Sequence, residues 1–350
     1  MHDKDERLMY LMGEKGIERI MAQNDEAEYK ISIPVPEYPK RLIVALQDGY
    51  CNLKCPMCYV HGSNNREVIK KLRGSMSFSD ACRIFDEVSG AKPSINPNSW
   101  TEPFIKKDIR KYLAAIKERG IHLTINTNGL LLTPELSRFL VQIKLDSIFV
   151  SIDATTVPTL EKIRGVRDLD KIKQAVFNML EARENLTYPR IGVSFVSQDE
   201  NRHEKEEFIA YWLKHVDVVR INEAYSLDKS VKSAELPLKR IPCGALYDTM
   251  AINHRGDVVI CCLDSFNEVV IGNVFKDSIK KVWRSENFNS LRFYHETGQY
   301  DKVPFCKKCG VWANYLITEE TKNGILIRQS PIMTHYNRID RLKTWKAGRG

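Results

Sequence analysis

No apolar run in this chain of 350 residues approaches the ~20 residues that span a bilayer. There is also no block of like charge, no internal repeat and no low-complexity tract. The first absence removes any expectation of a membrane-spanning helix, and no membrane partner is expected. The second bears on nucleic acid. Net charge is +8, yet Lys and Arg are scattered. The short basic patches Lys106-Lys107, Lys280-Lys281 and Lys307-Lys308 read as solvated faces. Nucleic acid is therefore not an expected partner, although a mildly basic pocket would suit an anionic or nucleotide-linked substrate. The opening residues, Met1 to Arg7, are strongly polar and predict no signal peptide. The expected compartment is the cytoplasm, where thiols stay reduced.

Cysteine is not scarce. Nine cysteines in a reducing compartment point to metal rather than to disulfides. Cys51-Asn52-Leu53-Lys54-Cys55-Pro56-Met57-Cys58-Tyr59 places three of them at C-x₃-C-x₂-C spacing. Three thiolates so close can hold three irons of one four-iron cluster and leave the fourth iron open. A structural zinc site competes with that reading, but zinc wants four ligands, and the fourth would be His61 or a distant cysteine. A second set comprises Cys243, Cys261, Cys306 and Cys309, separated by 18, 45 and 3 positions. Gly256 to Cys261 reads as a hairpin strand that delivers a thiolate. A four-cysteine zinc site is the competing reading here too. Of the two remaining, Cys82 lies beside a buried helical stripe and reads as core. Cys262 follows Cys261 directly, and on a strand it would face the opposite way, toward a barrel mouth.

Around these motifs strand and helix alternate. Arg41–Leu46 reads as a first strand, with the three-cysteine loop after it. Ala81, Ile84, Phe85 and Val88 recur at helical spacing. A short strand at Pro93–Asn96 follows, then a helix marked by Ile109, Tyr112, Leu113 and Ile116 that Gly120 ends. Strand His122–Thr127 precedes a helix that begins Thr133-Pro134-Glu135, with a capping hydroxyl and proline in the first turn. Leu136, Phe139, Leu140 and Ile143 form its stripe. Strand Ser147–Ser151, a helix over 168–184, strand Arg190–Val196, a helix over 204–214 and strand Val216–Asn222 complete six β/α steps. Such alternation predicts an α/β fold, a partial (β/α)6 TIM-like barrel, with chemistry at the C-terminal ends of its strands. The expected divisions are an accessory segment over 1–40, the barrel over 41–226, a cysteine-bearing domain over 227–312 and a closing segment over 313–350. In the first, Met9, Met12, Ile17 and Ile20 suggest a short amphipathic helix, and Pro34, Pro36 and Pro39 impose an extended stretch.

The C-x₃-C-x₂-C motif after a first strand, followed by five more β/α steps, resembles the radical S-adenosylmethionine superfamily. The resemblance covers about residues 41–225. It implies that Cys51, Cys55 and Cys58 bind a [4Fe-4S] cluster whose open iron is chelated by S-adenosylmethionine, and that reductive cleavage yields a radical that abstracts a substrate hydrogen. In place of the Gly-Gly-Glu of that family stands Asn98-Ser99-Trp100-Thr101-Glu102-Pro103. The glycines are missing, but Glu102 is the candidate for the cofactor's ammonium group, against a solvated helix-start acid. Ser151 and Arg164, in Ser151-Ile152-Asp153-Ala154 and Lys162-Ile163-Arg164-Gly165, are the candidates for its carboxylate. Arginine suits that role because its planar fork bonds a carboxylate bidentately. Tyr59 is the candidate for the adenine face. Met57 stands where the family often has an aromatic residue. Asn126-Thr127-Asn128-Gly129 either lines the pocket or makes a turn.

The second cysteine set resembles the Twitch domain, the small relative of SPASM, which implies a second, fully ligated [4Fe-4S] cluster on Cys243, Cys261, Cys306 and Cys309. The expected domain is a small β-hairpin and helix unit. One such cluster behind one partial barrel is similar to the alcohol-oxidising members of the 2-deoxy-scyllo-inosamine dehydrogenase type. The resemblance implies an oxidoreductase that turns an alcohol of a sugar, aminocyclitol or nucleotide-linked sugar into a ketone, reduced by a flavodoxin- or ferredoxin-type donor. Arg220 and Glu223, at the end of the sixth strand, are the candidate catalytic residues between the clusters; a structural ion pair is the alternative. Three rivals stand beside this reading: a radical epimerase of a sugar or peptide with Cys262 as hydrogen donor, a peptide-cross-linking enzyme, and a zinc-stabilised binding protein. The N-terminal segment is expected to be too short for leader-peptide recognition.

Overall fold

A computed structural model of the chain describes residues 32–62, 65–224, 236–237 and 239–346. The helix suggested by Met9 to Ile20 and most of the linker before Pro242 lie outside the described residues.

The six expected strands form, in chain order, β1 (Arg41–Val44), β4 (Ser94–Asn96), β5 (His122–Thr127), β6 (Ser147–Ser151), β7 (Arg190–Ser197) and β8 (Val218–Glu223). Each is parallel to its neighbours. A two-stranded side sheet, β2 (Gln47–Asp48) with β3 (Gly74–Ser75), frames α1 (Arg66–Lys71). Helices return the chain from strand to strand: α2 (Phe78–Val88), α3 (Ile109–Glu118), α4 (Pro134–Gln142), α5 (Val157–Arg164), α6 (Leu169–Arg183) and α7 (Lys205–Trp212). The sequence signals behave as their chemistry requires. The Thr133 hydroxyl accepts from Leu136 N at 3.2 Å, and Pro134 opens α4. Gly120 leaves α3 with φ +66°. The stripe of α2 is buried as expected. In α4 the buried face shifts to Leu136, Ser137, Leu140 and Val141, leaving Phe139 and Ile143 at its edge.

Period-2 alternation divides the barrel wall into two faces. Leu42, Val44, Ile95, Leu123, Ile125, Ile148, Val150, Val193, Phe195 and Val219 are fully buried in the core shared with the helices. Their alternates, including Asn126, Phe149, Ser151, Ser194 and Arg220, belong to the opposite, concave face, which is largely polar.

Both edges of this wall are extended. On one side β9 (Thr249–Ile252) pairs parallel to β1, and β10 (Asp257–Val259) and β11 (Val270–Asn273) continue antiparallel. Short α8 (Ala245–Asp248) precedes them; α9 (Ile279–Trp283), α10 (Glu286–Glu296) and α11 (Pro304–Lys307) follow. On the other side the chain's last part forms a meander, β12 (Thr318–Lys322), β13 (Ile325–Ser330) and β14 (Met333–Arg338), with β14 antiparallel to β8. Helix α12 (Ile339–Lys346) closes it. The described residues thus build one twelve-stranded sheet in the order β11-β10-β9-β1-β4-β5-β6-β7-β8-β14-β13-β12. The expected closing segment does pack back on the body, but as three strands that lengthen the barrel wall. The extended stretch after Ser32 is fastened to α9 and α10: Ser32 N bonds the Glu296 carboxylate at 2.6 Å, and Trp283 Nε1 donates to Pro36 O at 3.0 Å.

Candidate functional site

The loop after β1 turns tightly. Cys58 N donates to Cys55 O at 2.9 Å and Gly62 N to Cys58 O at 2.8 Å. Two sulfurs already receive backbone donors: Leu53 N lies 3.4 Å from Cys51 Sγ and His61 N 3.3 Å from Cys58 Sγ. Cys51, Cys55 and Cys58 are free thiols within electrostatic reach of one another. Burial pushes Cys51 up to about 12 and Cys55 up to about 11. Desolvation outweighs the nearby charge of Arg164, so the thiols hold their protons, and a metal centre reverses that balance. His61 is not free to complete a zinc site through Nε2, which bonds Trp100 O at 2.6 Å.

Other strand ends converge on this loop. Glu102 is buried, not a solvated helix-start acid. It caps the short 3₁₀ turn at Pro103–Ile105, and its carboxylate accepts from Thr127 Oγ1 at 2.8 Å, Asn128 N at 2.8 Å and Phe104 N at 3.3 Å. Burial raises its pKa to about 7 against the pull of those donors. Asn128 also bonds Asn52 of the cysteine loop at 2.7 Å, while Gly129, at φ +84°, makes the turn. The Asn126–Gly129 stretch therefore serves both as wall and as turn. Arg164 is buried at the end of α5, where it bonds Asp153 through Nε at 2.7 Å and also through Nη2. Its charge reaches Cys55 and Cys51. Asp153 sits at φ +67° and also accepts from Val196 N at 2.7 Å. Ser151 faces the concave side and accepts from Ser194 at 3.1 Å. Met57 touches the end of β7 through Gln198. Tyr59 meets Phe266 edge-on with ring centroids 5.3 Å apart, so part of its face is taken by the chain itself.

The glycines missing before Glu102 leave a trace in the backbone. Trp100 has φ +52°, a left-handed conformation that suits glycine. Its indole donates to Cys262 O at 2.6 Å, which ties the first site to the second cysteine set. No sequence signal announced this link.

Cys243, Cys261, Cys306 and Cys309 come together from three segments. Each lies within electrostatic reach of others in the set. Burial pushes Cys243 up to about 12 and Cys261 and Cys306 well above the ordinary range. Arg240 donates to Cys306 O at 2.9 Å, and Cys243 N donates to His295 Nδ1 at 3.2 Å. Cys262 follows Cys261 directly. Strand β10 ends at Val259, so strand alternation does not set its direction. Its thiol remains among the second cysteines, near Arg41, Cys309 and Asp248, and burial raises its pKa. Arg220 and Glu223 do not form an ion pair among the described residues: Arg220 bonds Asn126, and Glu223 donates its backbone N–H to Ile332 O at 3.0 Å. Cys82 packs against the core, as expected.

Among the described residues no three His, Cys, Asp or Glu side chains stand at the spacing of a single metal ion. A four-iron cluster holds its thiolates farther apart than one zinc ion does. Three free thiols in one group and four in another match an open and a closed iron–sulfur cluster in donor number and type.

The Radical SAM superfamily matches residues 49–210, and the SPASM iron-sulfur cluster-binding domain matches residues 243–310. The chain carries a radical SAM domain and a SPASM domain. It is a radical SAM enzyme with an auxiliary-cluster domain, and S-adenosylmethionine, a [4Fe-4S] cluster and an auxiliary iron–sulfur cluster are its implied cofactors. It is 25% identical over 312 residues to the tungsten-containing aldehyde ferredoxin oxidoreductase cofactor-modifying protein of Pyrococcus furiosus, covering 75% of this chain and 85% of that one. Among solved structures, BtrN in complex with AdoMet and 2-DOIA is similar at TM-score 0.53 and 17% identity, covering 77% of this chain and 92% of that one. Streptococcus suis SuiB bound to S-adenosylmethionine is similar at TM-score 0.58 and 17% identity, covering 79% and 73%. At such identity the two structures speak for the fold: a radical SAM partial barrel followed by a SPASM region. Among the described residues no helix is long and apolar enough to cross a membrane.

Proposed function

We propose that this radical SAM enzyme oxidises a secondary alcohol of a hydroxylated small molecule to a ketone. One observation carries the reading: Trp100 bridges the two cysteine sites. Its carbonyl holds His61, three residues after Cys58, and its indole holds Cys262 O, beside Cys261. A single auxiliary site so close to the first suits a reaction that removes two electrons from substrate. When bound, the first cluster with S-adenosylmethionine supplies the hydrogen-abstracting radical, and the auxiliary cluster supplies the electron acceptor.

The chain's own residues take the following roles in this reading. Cys51, Cys55 and Cys58 hold the first cluster; Cys243, Cys261, Cys306 and Cys309 hold the second. Glu102 receives the ammonium of S-adenosylmethionine, Ser151 and Arg164 its carboxylate, and Tyr59 the adenine. Arg164 does this with its fork oriented by Asp153. Of the two residues on β8, Glu223 is the proton acceptor for the substrate hydroxyl, because a carboxylate can take a proton at neutral pH and a guanidinium cannot. The reductant is a flavodoxin- or ferredoxin-type protein. The barrel occupies 41–226, the auxiliary domain 227–312 and the closing segment 313–350, behind an accessory segment over 1–40; both family matches fall within these bounds.

A second reading, radical epimerisation, draws on the buried Cys262 thiol near Arg41, a protonated sulfur able to donate hydrogen. One experiment separates the two. Anaerobic turnover in deuterated water with a panel of sugars and sugar derivatives should give a ketone, one equivalent of 5′-deoxyadenosine and no deuterium at carbon. Deuterium at an inverted carbon, lost in Cys262→Ser, would favour epimerisation. Cofactor cleavage stimulated by peptides and by no sugar would exclude both in favour of peptide modification.

A further inference from the structure

The concave face of the barrel carries a cation, Arg220, that makes no ion pair among the described residues. His335, Arg220, Ser194 and Ser151 stand directly opposite one another across β14, β8, β7 and β6, and Arg328, paired with Glu319 at 2.6 Å, extends the row beyond His335. Residues opposite one another on neighbouring strands share a face of the sheet. The row exists because the C-terminal meander adds β14 to the edge of β8.

Arg220 stands at its centre. It donates to Asn126 Oδ1 at 3.0 Å and lies over the Phe149 ring at 4.3 Å. Neither contact brings a counter-charge; Asp153, already bonded to Arg164, acts on it only from a distance, and its Nε is buried without a partner among the described residues. A guanidinium has five N–H donors, and leaving a desolvated cation unpaired is costly. Two buried arginines in this fold are treated differently. Arg164 has Asp153 and Arg183 has Asp217. Arg292 is packed against Trp283 and Phe288 and donates to two oxygens. Arg41 adds a second charge with no ion pair among the described residues, close enough to act on both Cys262 and His335. Burial, then Arg220, Arg190, Arg328 and Arg41, push the His335 imidazole down to about 3, so it is neutral beside Arg220 and can donate a hydrogen bond.

We propose that Arg220, flanked by His335, is the anchor for a carboxylate or phosphate group of the substrate. The assignment rests on the reading of a hydroxylated small molecule and narrows it to anionic ones, such as sugar acids, sugar phosphates and nucleotide-linked sugars; cationic aminocyclitols are disfavoured. Two strand spacings, about 10 Å, separate Arg220 from the Ser151 position. An anion held at Arg220 would direct the rest of a sugar-sized molecule toward the proposed cofactor side.

The test uses anaerobic holoenzyme with S-adenosylmethionine, titrated with inorganic phosphate, pyrophosphate and citrate by calorimetry and thermal unfolding. At least one anion should bind and raise the unfolding midpoint. Phosphate and pyrophosphate against citrate distinguishes a phosphate from a carboxylate anchor. Arg220→Met should weaken that binding at least tenfold while leaving affinity for S-adenosylmethionine unchanged. Arg220→Lys, which keeps the charge but not the fork, should fall between and serves alone should the methionine variant not fold. If no anion binds the parent, or the variants bind as the parent does, the assignment is overturned. Anion binding needs no turnover, so absence of a ketone product defeats the alcohol-oxidation reading without touching this result.

Discussion

The two cysteine sites are built by opposite routes. The first takes three thiols from one tight loop after β1 and draws everything else from the ends of other strands: Glu102 after β4, Asn128 after β5, Asp153 after β6. The second takes four thiols from three segments, with Cys243 before α8, Cys261 after β10 and Cys306 and Cys309 in and after α11. Polar and charged side chains crowd the first, bonded to one another and to the loop. The second is shut in by its own sulfurs, with Arg240 and His295 bonded to the backbone around them. A site that must hold another molecule on an open iron needs spare side chains around it. A site that only stores an electron needs four ligands and seclusion. On the proposed roles, damage to the first should stop radical generation, and damage to the second should stop only its productive use.

The largest effect follows directly. Anaerobic protein should carry about eight irons, from two four-iron clusters. Cys51→Ala should lower the iron content by about half and reduce 5′-deoxyadenosine formation to background. Cys306→Ala should lower iron similarly yet leave measurable cofactor cleavage with no oxidised product. Iron analysis and chromatography of the nucleoside decide the matter. Equal loss of cleavage in both variants would mean that the sites do not divide the labour in this way.

A smaller effect lies with Glu102. Removing a charge-assisted hydrogen bond costs roughly 1.5–3 kcal/mol, so Glu102→Gln should weaken S-adenosylmethionine binding about tenfold to a hundredfold. The pH dependence carries a definite sign. Burial raises the carboxyl from 4.5 to about 7, so in that window the folded chain keeps a proton that the unfolded chain has released. The stability contributed by this group is complete below pH 4.5 and is lost as the pH rises through about 7. The cofactor-free parent should therefore lose stability relative to Glu102→Gln across this range, while its affinity for S-adenosylmethionine, whose ammonium prefers the carboxylate, should rise. Calorimetric titration and thermal unfolding at several pH values measure both. Parallel pH profiles for parent and variant would remove Glu102 from the role.

Much of this architecture was legible in the sequence because each signal was local. The spacing of Ala81, Ile84, Phe85 and Val88 dictates a helix face whatever surrounds it, and Thr133-Pro134 states its own cap. The C-x₃-C-x₂-C loop, the order of Glu102, Ser151 and Arg164, and the four later cysteines were legible for the same reason. What escaped depends on pairing across long sequence separations. Nothing local in Thr249–Ile252 says that it will lie parallel to β1. Nothing in Met333–Arg338 says that His335 will face Arg220. Strand alternation could not set the direction of Cys262, because β10 ends at Val259. A surface acid was the competing reading of Glu102, since its burial comes from Thr127 and Asn128 of another strand end.

Trp100 offers the finest test of how the two sites are joined. Its left-handed backbone costs a non-glycine residue roughly 1–2 kcal/mol, and the indole bond to Cys262 O offsets part of that. Trp100→Gly and Trp100→Ala both lose the bond and the ring, but only alanine keeps the backbone penalty. Glycine's greater freedom in the unfolded chain narrows the difference. The alanine variant should therefore melt below the glycine variant by an amount equivalent to about 1 kcal/mol, with both below the parent. Because Glu102 lies two residues on, the alanine variant should also show the weaker affinity for S-adenosylmethionine. Coincident melting of the two variants would mean that the backbone at position 100 is unstrained, and its likeness to a glycine turn would then carry no energetic meaning.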